Sequence, residues 1–118
     1  MKYALLILEG DTTWNDLPDD ERARLRAEEM PRWMALMEEL GKADAEMKGY
    51  ELDARETAKV VRVRDGERFV TDGPFAETKE AIAGLFVAQL PDLDEALRLA
   101  SMIPSAETGA IEVRPVVS

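Results

Sequence analysis

The chain has 118 residues and a net charge of −10, with neither cysteine nor histidine. This length suits one hydrophobic core, so we expect residues 1–118 to form a single domain. The acidic excess would repel a phosphate backbone, which argues against nucleic-acid binding. Without cysteine or histidine there is no Ser-His-Asp triad, no thiolate nucleophile and no zinc site of the common kinds. Any catalysis must use carboxylates, lysine, arginine, tyrosine or backbone groups, and we expect no metal or cofactor.

The first segment, "KYALLIL" at 2–8, is a short and continuous apolar run. It predicts a central strand rather than a signal peptide, because no small-residue cleavage site follows it. The chain contains no apolar run of about 18 residues, so we expect no membrane span. These two observations predict a cytoplasmic protein.

The next segment predicts a helix that begins near Pro18, with acidic side chains in its first turn. An internal proline costs a helix roughly 3 kcal/mol, so Pro31 predicts a kink or break near Met30 and a second helical piece over 32–40. Gly41 is placed to end that piece.

One apolar face of this helical region recurs at three- and four-residue spacing, and it consists of Met30, Trp33, Met34, Met37 and Leu40. Packing of the helix on the core is the common explanation for such spacing. A soft pocket wall is the alternative, because methionine adapts to ligands of varied shape.

The remaining elements are strands and one further helix. Asp65-Gly66 separates two β-rich runs and predicts a tight hairpin, because both turn positions require positive φ. Asp92, with Glu95 three residues later, predicts a helix opened by a capping box. The predicted strands span 49–52, 58–64, 67–72, 81–90 and 110–117.

The order β-α-(β)-β-β-β-α-β predicts an α+β protein of the ferredoxin-like kind, in which an antiparallel sheet carries two helical segments on one face. The opposite face of that sheet requires a polar coating or a partner. Strand 81–90 is too apolar on both sides to face water, so we expect a homodimer that packs sheet against sheet.

The stretch "VTDGPFAETKE" at 70–80 holds the strongest candidate for chemistry. Asp72 precedes a Gly73-Pro74 pair that stiffens the chain, and Phe75 follows. In a structural interpretation the Asp72 carboxylate accepts downstream backbone N–H groups and Phe75 fills the core. In a functional interpretation the same rigid corner holds Asp72 at a dimer cleft as a catalytic carboxylate, with Gly73, Pro74 and Phe75 contacting a substrate.

Two charged residues are candidates for the same site. Glu77 could hydrogen-bond the corner or line the pocket, and the alternative is an ordinary surface carboxylate. Arg114, on the final strand, could bind an anionic substrate with both arms of its guanidinium group. Equally, Arg114 could pair with a neighbouring glutamate at the surface, where such a pair contributes little.

The segments "MKYALLIL", "VRVRDGERFVTDGPFAETKEAIAGLFV", "DLDEALRLASMIP" and "GAIEVRPV" resemble the DGPF-domain branch of the YciI-like (YCII-related) proteins. The resemblance implies a ferredoxin-like fold assembled as a dimeric α+β barrel. Some members of this largely uncharacterised family lie beside genes for extracytoplasmic-function sigma factors, and a few relatives have been linked to dehalogenation. Those relatives are proposed to use a His-Asp pair. Asp72 matches the aspartate, but this chain has no histidine.

Two functions follow from these observations. The first is a small-molecule binder or a carboxylate-assisted enzyme, with its site near Asp72 in a dimer cleft. The second is a non-catalytic dimeric module that is accessory to a regulatory or stress-response system.

Overall fold

The computed structural model describes residues 1–9, 16–73 and 81–117. The described elements, in chain order, are β1 (Lys2–Glu9), α1 (Asp19–Ala43), β2 (Lys48–Glu51), β3 (Lys59–Arg64), β4 (Glu67–Asp72), β5 (Ala81–Gln89), α2 (Leu93–Met102) and β6 (Ala110–Pro115). Single 3₁₀ turns lie at Arg55–Thr57 and Pro104–Ala106. Most predicted strand ends agree with these bounds to within one or two residues.

Four strands form one antiparallel sheet in the order β2-β5-β1-β6. With the hairpin β3–β4 set aside, the chain runs β-α-β-β-α-β through this sheet, which is the ferredoxin-like arrangement. The predicted α+β class is therefore confirmed.

The hydrophobic core lies between one face of this sheet and the two helices, as the sequence predicts. Side chains of β1 and β5 that point to this face are buried together with residues from both helices. The buried set comprises Tyr3, Leu5, Ile7, Leu36, Leu40, Phe86, Ala88, Leu90, Ala96, Leu99, Ala100 and Ile103.

Helix α1 differs from the prediction because it continues without interruption through Pro31 and past Gly41. The Pro31 side chain is exposed, so its ring displaces no packed neighbour. Leu36 and Leu40 are completely buried and hold the following turns on the sheet. The helix ends at Asp44, whose backbone N–H donates to the Leu40 carbonyl at 2.8 Å.

The predicted apolar face of α1 is only partly correct. Leu40 is buried as expected, but Leu36, which the predicted face omitted, is the other core residue of this helix. Met34 keeps 63% of its surface exposed. The core-facing side is therefore rotated toward Leu36, which leaves Trp33 and Met37 at its margin.

The hairpin forms a separate two-stranded sheet, whereas the sequence placed its strands in the main sheet. Its turn is as predicted, with φ of 52° at Asp65 and 76° at Gly66. We call residues 59–72 the arm. In the described part of the chain, neither strand of the arm pairs with the four-stranded sheet.

The opposite face of the four-stranded sheet carries an apolar patch at its centre. Leu6 lies across from Leu85 and Ala4 across from Val87, and all four are half-buried. Neither α1 nor α2 lies on this face, because both pack on the face that carries Leu5. Separately, no helix in the described ranges is long and apolar enough to cross a membrane.

Candidate binding pocket

A cavity of about 330 Å³ lies beside the core, between α1 and the strands β1, β2 and β5. Trp33, Met30 and Met37 line it from the helix, and Phe86 and Ile7 line it from the sheet. Three residues of the predicted apolar face of α1 thus line the pocket. A pocket wall was the alternative interpretation of this face, because methionine adapts to ligands of varied shape.

Two aromatic rings meet at the inner end of the pocket. The Trp33 and Phe86 ring centroids are 6.4 Å apart, with the planes tilted by 38°. Gly49 on β2 permits this position of Phe86, because a Cβ atom at 49 would lie 2.6 Å from Cε1 of the Phe86 ring. The missing side chain therefore lets the ring lie directly against the strand.

Charged side chains surround the rim of the pocket. The Trp33 indole Nε1 donates to Glu29 Oε2 at 3.3 Å. Arg26 Nη2 donates to Glu51 Oε1 at 3.2 Å. These contacts place the carboxylates of Glu29 and Glu51 and the guanidinium group of Arg26 beside the apolar wall of the pocket.

Arg55 connects the pocket to the end of β1. Its Nη2 donates to the backbone carbonyl of Glu9 at 3.1 Å, and both residues line the cavity. Asp53 also lines this side. The rim can therefore meet the polar end of a molecule with either sign of charge, although carboxylates outnumber guanidinium groups there.

Asp72 lies at the end of β4, at the base of the arm, and does not line this cavity. Its Oδ1 accepts from Lys59 Nζ at 2.5 Å, and 84% of its side chain is exposed within one chain. Gly73 directs its backbone N–H to the Ala58 carbonyl at 2.9 Å. The N–H of Ala58 in turn donates to the Arg55 carbonyl, so two hydrogen bonds separate the strand end at Asp72 from a pocket residue.

We expect Lys59→Met to raise the pKa of the Asp72 carboxyl. The Lys59 ammonium donates a hydrogen bond to this carboxyl and holds its pKa below the ordinary aspartate value of about 3.9. Because the folded-state pKa is lowered, the pair's contribution to stability is present above that ordinary value and is lost as pH falls through the folded pKa.

A pH titration of the Asp72 carboxyl carbon by NMR measures this pKa. Lys48→Met is the matched control, because Lys48 lies on β2 and does not contact Asp72 in the structure. An unchanged Asp72 pKa in Lys59→Met would show that the pair does not form in solution.

Arg114 lies on β6, opposite Ala4 in the register, and therefore faces away from the helices. Its Nη2 donates to Glu112 Oε2 at 2.8 Å, which is the surface pair that the sequence offered as an alternative. Arg114 does not line the pocket. The candidates Pro74, Phe75 and Glu77 lie outside the described residues.

The position of the pocket was hard to predict from the sequence, because its walls come from α1, β1, β2 and β5, which are distant along the chain. Only the predicted apolar face of α1 indicated a pocket wall. In the described ranges, no cluster of three or more acidic side chains is arranged to hold a metal ion.

The described elements define a ferredoxin-like α+β fold with a cavity between α1 and the sheet. The family model for the YCII-related domain matches residues 1–118, and the chain therefore belongs to this family. An uncharacterized protein, R00369, of Rhizobium meliloti (strain 1021) is 46% identical over 61 residues. That match covers 50% of this chain and 49% of the relative, so it spans about half the length of the curated protein.

Proposed function

We propose that this YCII-related protein binds a small molecule with an apolar body and a polar end in the pocket beside α1. The observation that carries the proposal is the cavity of about 330 Å³ with the Trp33 and Phe86 rings at its inner end and charged groups at its rim. Apolar walls with a few convergent polar groups are typical of ligand sites. The methionines adapt the wall to the shape of the ligand.

For Asp72, we propose a role beside this pocket rather than inside it. The hydrogen bonds from Gly73 to Ala58 and from Ala58 to Arg55 support this position. A carboxylate-assisted proton transfer would use Asp72 as the base, with a second subunit closing the cleft, and Arg114 would belong to the surface that faces that subunit.

A homodimer in the form of an α+β barrel is part of the proposal. The apolar patch around Leu6 and Leu85 supports it, because a sheet face of this kind gains free energy when a second sheet excludes water from it. The same patch favours the second candidate function, a non-catalytic dimeric accessory module. Ligand binding in the pocket distinguishes the two.

The test is a titration with N-phenyl-1-naphthylamine, a neutral apolar fluorophore whose emission rises in apolar surroundings. We expect saturable binding to the wild-type protein. Met37→Gln should weaken this binding about tenfold, because it places an amide against the apolar wall. Compounds that displace the fluorophore would then define the ligand class.

Met34→Gln is the matched control, because Met34 lies on the same helix but outside this pocket. Its affinity for the fluorophore should equal that of the wild type. Equal affinity in Met37→Gln would mean that the fluorophore binds elsewhere, and the absence of saturable binding to the wild type would also contradict the proposal.

A further inference from the structure

The charged groups that line the pocket are predominantly acidic. Among the residues that the structure describes, the charged lining comprises Glu9, Glu29, Glu51 and Asp53 together with Arg26 and Arg55. The Arg26 guanidinium group already donates to the Glu51 carboxylate. That of Arg55 donates to a backbone carbonyl. The described lining therefore has more carboxylates than guanidinium groups, and both guanidinium groups already have acceptors in the protein.

Glu29 differs from the other carboxylates because the described part of the chain gives it no ion-pair partner. Glu29 is half-buried, and its Oε2 accepts the neutral indole N–H of Trp33 at 3.3 Å. Arg26 lies one helical turn earlier, but its guanidinium group pairs with Glu51. A partly buried carboxylate without a basic partner loses hydration that no opposite charge replaces. A ligand cation beside Glu29 would replace it.

The same carboxylate lies next to an aromatic wall. Trp33, Tyr50 and Phe86 all line the cavity, and the faces of aromatic rings attract cations. The Trp33 and Phe86 centroids are 6.4 Å apart. One cationic group can therefore lie within about 6 Å of both centroids, which is the range of this attraction. The hydrogen bond from the indole to Glu29 brings the aromatic and the acidic attraction to one location.

The charge of the whole chain favours the same sign of ligand. The net charge is −10, so the field of the protein draws cations toward a cleft and repels anions. Building on the small-molecule binding proposed above, on which this assignment rests, we infer that the polar end of the ligand is a cation. The ligand class is an organic ammonium ion, protonated or quaternary, that carries an apolar body. Its nitrogen lies beside Glu29 and Trp33.

Three probes of similar shape test the sign of this charge. They are 4-phenylbutylamine, which is cationic near neutral pH, the neutral 4-phenylbutan-1-ol and the anionic 4-phenylbutanoate. Their dissociation constants are measured by ¹H–¹⁵N chemical-shift titration, followed at the Gly49 amide and the Trp33 indole. We expect the amine to bind about tenfold more tightly than the alcohol, and the alcohol to bind more tightly than the carboxylate.

Glu29→Gln tests the carboxylate separately from the apolar wall. Glutamine has nearly the same shape and keeps an oxygen that accepts the indole N–H, but it lacks the negative charge. We expect the dissociation constant of the amine to rise about fivefold and that of the alcohol to stay unchanged. Glu28→Gln is the matched control, because Glu28 lies on the same helix, pairs with Arg24 and does not line the cavity. It changes the net charge equally and should leave amine binding unchanged.

The contradicting results differ in what they exclude. Equal affinity for the amine and the carboxylate would overturn the cationic ligand and leave the pocket as a binding site. An equal effect of Glu29→Gln and Glu28→Gln on amine binding would overturn the position of the cation beside Glu29. If no probe produced saturable shifts at the Gly49 amide and the Trp33 indole, the proposed function and the cationic ligand would both be wrong.

Discussion

Replacing Leu36 with alanine will lower the free energy of unfolding by about 3 kcal/mol. Leu36 has no exposed surface and lies among the buried residues that join α1 to the sheet. Removing its isobutyl group loses the transfer free energy and leaves a cavity that the rigid neighbours fill only in part. Because α1 also forms one wall of the pocket, fluorophore binding should weaken as well.

Urea denaturation followed by tryptophan fluorescence measures this loss. Met34→Ala is the control, because Met34 is exposed on the same helix and its removal should change the free energy of unfolding by less than about 0.5 kcal/mol. Equal effects of the two substitutions would contradict the assignment of Leu36 to the core.

Replacing Pro31 with alanine will raise the free energy of unfolding by about 2 kcal/mol. Proline costs about 3 kcal/mol relative to alanine inside a helix, since it lacks the N–H and its ring crowds the preceding turn. The stiffness of proline in the unfolded chain offsets up to about 1 kcal/mol of this gain. No packing is lost, because the Pro31 side chain is exposed.

The same denaturation experiment measures the gain. Pro104→Ala is the control, because Pro104 is buried at the start of a 3₁₀ turn, where proline suits the backbone and packs against the domain. That substitution should lower the free energy of unfolding. A loss of stability in Pro31→Ala would show that the proline ring has a packing role that its exposure conceals.

The continuous course of α1 shows where local sequence signals are overruled. Pro31 and Gly41 both predict interruptions, and both reflect a real local cost. That cost is a few kcal/mol, and the burial of Leu36 and Leu40 on the sheet exceeds it. By contrast, the turn at Asp65-Gly66 needs positive φ at two consecutive residues, which few other sequences permit, so it was predictable from two letters.

The helix start at Asp92 was predictable for the same reason. Its Oδ1 accepts the Glu95 backbone N–H at 2.8 Å, as the sequence indicated. The second half of the capping box does not form, because the Glu95 carboxylate instead accepts hydrogen bonds from Arg98. The pocket was much less predictable, since it depends on how far α1 rotates about its axis, and only packing fixes that angle.

The contact between Gly49 and Phe86 has a consequence for the shape of the pocket that we propose binds a small molecule. A methyl group at position 49 would push the ring away from β2, and Trp33 lies nearby across the cavity. The space between the Phe86 and Trp33 rings therefore depends on one missing side chain on a four-residue strand. A larger residue at this position would narrow the cavity where the two rings approach one another.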